Sequence, residues 1–124
     1  MKLRVLIVED DRLNAELARD LLEARGHEVE LAPDALTFRA MVINGARPHI
    51  VLMYIRLPDG DGVELLHEAR VTLAGIPIVA VTAQALAEER LRLAKAGFAA
   101  VMTKPIDTRA FGPEIERLAN AALT

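Results

Sequence analysis

The 124-residue sequence predicts a doubly wound α/β fold in which five parallel strands alternate with five helices. Three observations carry that prediction. Several short aliphatic runs are too continuously apolar for strands with one wet face, so the sheet must be covered on both sides. Segments with apolar residues at helical spacing separate these runs. The first and third runs stop abruptly in polar, turn-rich loops, Glu9-Asp10-Asp11 and Leu57-Pro58-Asp59-Gly60-Asp61-Gly62. Loops at that edge are where open α/β sheets hold their ligands.

Residues 3–8, Leu-Arg-Val-Leu-Ile-Val, read as the first strand. Asp11 caps the helix that follows; Leu13, Leu17 and Leu21, at spacing four, predict its buried stripe, with Glu16, Arg19, Asp20 and Glu23 outward and Gly26 as its stop. Residues 27–31 alternate as a second strand, and Pro33-Asp34 opens a helix carrying Leu36, Phe38, Ala40, Met41 and Ile43 as far as Asn44-Gly45. Residues 49–54, with Pro48 behind them, form the central strand. Asp61-Gly62 caps a third helix with Val63, Leu65, Leu66 and Ala69 inside, running out near Gly75. Residues 76–81 are again buried strand, with Pro77 near the start, where a missing donor does least harm. A fourth helix over 86–96 ends at Gly97, and residues 98–103 make the fifth strand, closed by Lys104-Pro105. The last helix starts near Asp107. There Gly112-Pro113 demands either an irregular first turn or a restart with Pro113 at the first position.

Composition narrows the function. The length fits a single domain over 1–124. Hydrophobic residues make up 52% and aromatics only 3%, so the core is aliphatic and offers no platform for stacking bases. A net charge of -3 argues against nucleic acid as a partner of this chain. Without cysteine there is no disulfide, thiolate nucleophile or zinc-thiolate site. No apolar run reaches the ~18 residues of a membrane span, and Met1-Lys2 leads directly into a strand, so a cytoplasmic protein with no membrane partner is expected.

Parallel strands bring their carboxyl ends to one edge, which gathers Glu9, Asp10, Tyr54, Thr82 and Lys104. Two adjacent carboxylates suit a hard cation such as Mg²⁺. Thr82 offers a hydroxyl, and Lys104 a charge, to a phosphoryl oxygen. Taken singly these are a solvated acidic loop, a strand residue and a surface lysine. Together, in this order and with the loop from Leu57 to Gly62, they resemble the receiver domains of bacterial two-component response regulators over nearly the whole chain. No Gly-rich phosphate loop follows the first strand, which separates the chain from dinucleotide binders.

The resemblance implies a flavodoxin-like strand order 2-1-3-4-5. It also implies Mg²⁺ held by Glu9, Asp10 and the backbone carbonyl of Arg56, with Thr82 as the switch hydroxyl and Lys104 followed by a cis-proline at Pro105. A histidine kinase or phosphotransfer protein would dock near the first helix and the Lys104-Pro105-Ile106 loop. A downstream protein target would read the fifth strand and its flanking helices, where Glu88, Arg92, Lys95 and Arg109 are expected outside. The oligomeric state expected is monomer or weak dimer.

Two residues depart from the family pattern. Where receivers carry the phosphoaccepting aspartate, this chain has Tyr54. A carboxylate with a pKa of about 3.9 is ionised at neutral pH, whereas a phenol near 10 is not, so the nucleophile is switched off and the Mg²⁺ site loses a carboxylate. The ring is expected to be a core aromatic with its hydroxyl in the cleft, near Lys104 or an acidic side chain. Asp59 and Asp61 are poor substitutes, lying in the loop, and Asp61 is better explained as a cap. The second departure is Val101, three residues before Lys104, where receivers commonly place a rotating aromatic. The expected function is therefore a phosphorelay receiver, natural or engineered variant, that is not phosphorylated at Tyr54. Family autophosphorylation chemistry is expected to be lost, with Mg²⁺ weakened or absent. The alternative is a pseudo-receiver that works by protein binding alone; a small metal-dependent hydrolase would need a pocket that such short loops do not promise.

Overall fold

Five parallel strands form one sheet in the order β2-β1-β3-β4-β5: β1 is Arg4–Val8, β2 Glu28–Ala32, β3 Ile50–Tyr54, β4 Ile78–Thr82 and β5 Ala100–Thr103. The computed structural model describes residues 2–84 and 86–123. β1 and β3 are in register at Val5 and Ile50, β3 and β4 at Val51 and Ile78, and β4 and β5 at Val79 and Ala100. All five residues of β3 and of β4 are buried, as their unbroken aliphatic runs require.

Alternation along the strands divides the core in two. Leu6, Val8, Val51, Met53 and Ala80 face Ala35 and Phe38 of α2 (Ala35–Ile43), Leu65 and Leu66 of α3 (Gly62–Ala69) and Leu93 of α4 (Ala87–Ala96). Val5, Ile7, Leu52, Tyr54, Val79 and Val81 face Ala18 and Leu22 of α1 (Arg12–Glu23) and Phe111, Ile115 and Ala119 of α5 (Phe111–Leu123). Tyr54 therefore belongs to the α1/α5 face.

The predicted stripe of α1 is corrected. Leu13 and Leu17 are 77% and 43% exposed and Leu21 is half-buried, while Ala15, Ala18 and Leu22 are inside. Positions four apart drift by about 40° per step at 3.6 residues per turn, so the three leucines wind from solvent toward the sheet. The small alanines let the helix axis lie close. In α2 only Ala35 and Phe38 are buried; Leu36 and Ile43 are 70% and 81% exposed, and Ala40 is outside too. That helix is apolar almost all round, so its sequence has no direction to read.

Strands start one or two residues later than expected, at Glu28, Ile78 and Ala100, whereas α3, expected to run out near Gly75, already gives way to turns after Ala69. Caps follow the sequence: Asp11 accepts from the Asn14 N–H, Asp34 from Thr37 and Asp61 from Val63. The first turn of α5 is the irregular one. Asp107 accepts from the N–H groups of Arg109 and Ala110, regular helix begins at Phe111, and Pro113 falls inside the first turn, where its missing donor is least felt.

At the opposite pole from the Glu9 loop, α5 is tied to the start of β2. Glu116 accepts from Arg25 through both oxygens, at 2.8 and 2.7 Å, and from His27 Nε2 at 2.7 Å, while His27 Nδ1 accepts the Leu3 N–H at 3.0 Å. Arg25 first, then His27, holds the Glu116 carboxyl down at about 2 from its ordinary 4.5. A carboxyl whose folded pKa is depressed contributes stability that is complete above its unfolded value and is lost as pH falls toward the folded one. Glu116→Gln should thus cost about 1 kcal/mol at neutral pH, after the screening of a partly exposed pair. In denaturant titrations the difference from the native chain should close between pH 4.5 and 2.

Candidate functional site

The carboxyl ends of β1, β3, β4 and β5 converge as expected. Glu9 follows β1, its N–H bonded to Ala32 O at 3.0 Å, and its side chain is fully buried. One carboxylate oxygen, Oε1, takes the Lys104 ammonium at 3.1 Å; the other, Oε2, is buried with no partner among the described residues. Burial raises the Glu9 pKa above 4.5, opposed first by the hydrogen bond from Lys104, then by the Lys104 charge and by the Asn14 side chain nearby. Asp10 points to solvent.

Tyr54 ends β3 and is 1% exposed. Lys104 Nζ lies over its ring, 4.5 Å from the centroid, so the predicted nearness to Lys104 is met through the ring face and not through the phenol. The expected open hydroxyl is corrected: the Tyr54 oxygen is buried and has no hydrogen-bond partner among the described residues. Burial first, then the charges of Glu9 and Asp11, push the phenol pKa above its ordinary 10, so the ring stays neutral at any physiological pH.

Thr82 ends β4, and its Oγ1 accepts the Gln84 N–H at 3.2 Å. The Lys104 N–H donates to Thr82 O at 2.9 Å, and the Lys104–Pro105 peptide bond is cis. Tyr54, Arg56, Thr82, Gln84 and Lys104 line a cleft of about 210 Å³. Val101 on β5 is half-buried against the α2–α4 side of the core, and Glu88, Arg92, Lys95 and Arg109 are exposed.

The loop after β3 is more tightly built than its Pro-Gly-Asp composition suggests. Arg56–Leu57 pairs with Gly60–Asp61 in a small antiparallel hairpin. Gly62 donates to Ile55 O at 2.7 Å, and a Cβ on Gly62 would stand 3.0 Å from the Ile55 Cα. Asp59 reaches out to accept the N–H groups of Ala35 and Leu36, at 2.8 and 3.0 Å, clamping the start of α2. The bond from Ala35 first, then that from Leu36 and the Arg39 charge, hold its carboxyl below the ordinary range. The sequence reading missed this clamp, whose partners are backbone groups 24 and 23 residues away.

Among the described residues no three acidic or histidine side chains are grouped to hold a metal ion. Glu9 Oε2, with its buried and unclaimed lone pairs, does fit a cation, and Asp10 is its neighbour in the chain. Two carboxylates and one backbone carbonyl are enough for Mg²⁺ that keeps several of its waters.

Fold and site together define a doubly wound α/β protein whose acidic, hydroxyl and lysine groups meet beyond the carboxyl ends of β1, β4 and β5. Known proteins of this class match closely. The family model described as response regulator receiver domain covers residues 5–116. The polar-differentiation response regulator DivK of Brucella anthropi is 37% identical over 109 residues, covering 86% of this chain and 88% of its own. The transcriptional regulatory protein RprY of Bacteroides fragilis is 35% identical over 118 residues, and there the match spans 49% of the longer protein. Among solved structures, a CheY-like receiver domain protein from Methanospirillum hungatei superposes with a TM-score of 0.87 at 31% identity, covering 96% of this chain and 94% of the other. The chain belongs to the response regulator receiver domain family, whose members act in two-component phosphorelay signalling. Among the described residues no helix is long and apolar enough to cross a membrane.

Proposed function

We propose that this chain is a phosphorelay receiver in which Tyr54 occupies the phosphoacceptor position, so that it takes no phosphoryl group there and signals by protein binding. The observation that carries this reading is the neutral, fully buried Tyr54 ring beneath Lys104. A phosphoryl acceptor must present an ionised oxygen in line with the donor. The Tyr54 oxygen is protonated and closed off. The chain is accordingly not an enzyme in its own phosphorylation.

Mg²⁺, which receivers typically bind, would be held by Glu9 Oε2, Asp10 and the Arg56 carbonyl, where it would neutralise acidic charge. With Lys104 already on Glu9 Oε1, that binding is weaker than in a receiver with a third carboxylate. A histidine kinase or phosphotransfer protein is the partner this reading names. The exposed Leu13 and Leu17 on α1 would supply an apolar contact for it, with the Lys104-Pro105-Ile106 loop as the second docking element.

Intact-mass measurement after incubation with a small acyl phosphate and Mg²⁺ tests the reading. The native chain should gain no labile phosphate. A gain of phosphate on the native chain would overturn it, whether as a labile acyl phosphate on a carboxylate or as a stable aryl ester on Tyr54.

A further inference from the structure

We propose that Tyr54 is a built-in occupant of the switch site: its ring and the Glu9 carboxylate hold the Lys104 ammonium from two sides and fix the end of β5 in one phosphate-independent state. The inference rests on the proposed function above and adds a reason why the binding surface would stay constant.

Lys104 has two anchors on its side chain, Glu9 Oε1 at 3.1 Å and the Tyr54 ring at 4.5 Å, and a third on its backbone, the bond to Thr82 O at 2.9 Å. The backbone bond fixes where the lysine starts, and the ammonium cannot swing without releasing both Glu9 and the face of the Tyr54 ring. Glu9 is fully buried and cannot turn to water for a replacement. The Thr82 hydroxyl is already engaged by the Gln84 N–H, so it is occupied within its own loop and makes no bond to the Lys104 ammonium. A neutral ring in place of a carboxylate also removes a charge that incoming Mg²⁺ or phosphate could act upon. The lysine that would meet a phosphoryl oxygen is held by the protein itself. An alternative is that the ring merely fills the α1/α5 side of the core and Lys104 passes over it without being held.

The two are separated by the lysine spectrum of the full chain. Only Lys2, Lys95 and Lys104 are present, so ¹³C-labelled lysine gives three ε-methylene signals. A held Lys104 should show one of them displaced upfield by the ring current of Tyr54. That signal should vanish in Lys104→Arg and in Tyr54→Leu, persist in Tyr54→Phe, and stay in place when acyl phosphate and Mg²⁺ are added. Three signals at ordinary exposed-lysine positions in the native chain would overturn the proposal with no variant needed. So would an upfield signal that survives Tyr54→Leu, or one that moves on adding acyl phosphate while the mass is unchanged. A gain of phosphate mass on the native chain overturns the function reading instead, and the mass spectrum reads that separately.

Discussion

Tyr54→Asp is expected to turn an inert chain into one that takes a labile phosphate from a small acyl phosphate when Mg²⁺ is present. The change restores an acceptor carboxyl, with a reference pKa of about 3.9, at the strand end over which Lys104 lies. It also empties part of the α1/α5 core. A large buried side chain lost to a small one costs about 3 kcal/mol, so the variant should unfold at lower denaturant than the native chain. Added Mg²⁺ should return part of that stability, because it binds the folded site and not the unfolded chain. Thermal melts with and without Mg²⁺ would show a larger upward shift for the variant than for the native chain. If the variant folds, binds Mg²⁺ and still takes no phosphate, Tyr54 is not the only reason for silence, and the protein is a binding module throughout.

Lys104→Met should produce the largest loss of stability at neutral pH. It leaves the fully buried Glu9 without its counter-charge, and removing one member of such a pair typically costs about 3–5 kcal/mol. With a urea dependence of about 1–3 kcal/mol per molar, the unfolding midpoint falls by one molar or more. The pH dependence identifies the cause. Burial already raises the Glu9 pKa above 4.5, and losing Lys104 removes the strongest opposing influence. The folded state then holds a proton more firmly than the unfolded chain, so stability falls as pH rises through the folded pKa and is regained below the unfolded value near 4.5. Glu9→Gln combined with Lys104→Met should abolish that dependence. A deficit that does not change with pH would point to lost packing of the lysine stem and not to an orphaned carboxylate.

Much of this architecture was legible in the sequence, for reasons that lie in particular residues. Ile50 to Tyr54 and Ile78 to Thr82 are buried on both faces, so their aliphatic runs announce themselves and their ends mark the site edge. Thr82 followed from the end of β4, and Glu9 and Lys104 from the ends of β1 and β5. The faces of α1 and α2 did not follow. Leu13 and Leu17 satisfy a helical spacing while lying outside, because alanines and not leucines meet the sheet. The Tyr54 orientation was half legible: the strand end places the ring, but only the packing around it decides that the hydroxyl is sealed off and the ring face meets Lys104. The Asp59 clamp was illegible, since an aspartate among Pro and Gly reads the same whether or not it reaches a distant backbone.

The loop after β3 consequently has almost no freedom in length. Asp59 must land on two particular amides of α2, Gly60 must pass Ala35, to whose Cβ a side chain at that place would come within 3.2 Å, and Gly62 must turn against Ile55. Insertion or deletion of a single residue would break all three fits at once. The segment from Ile55 to Gly62 thus acts as a fixed-length spacer between β3 and α3 that also sets where α2 begins.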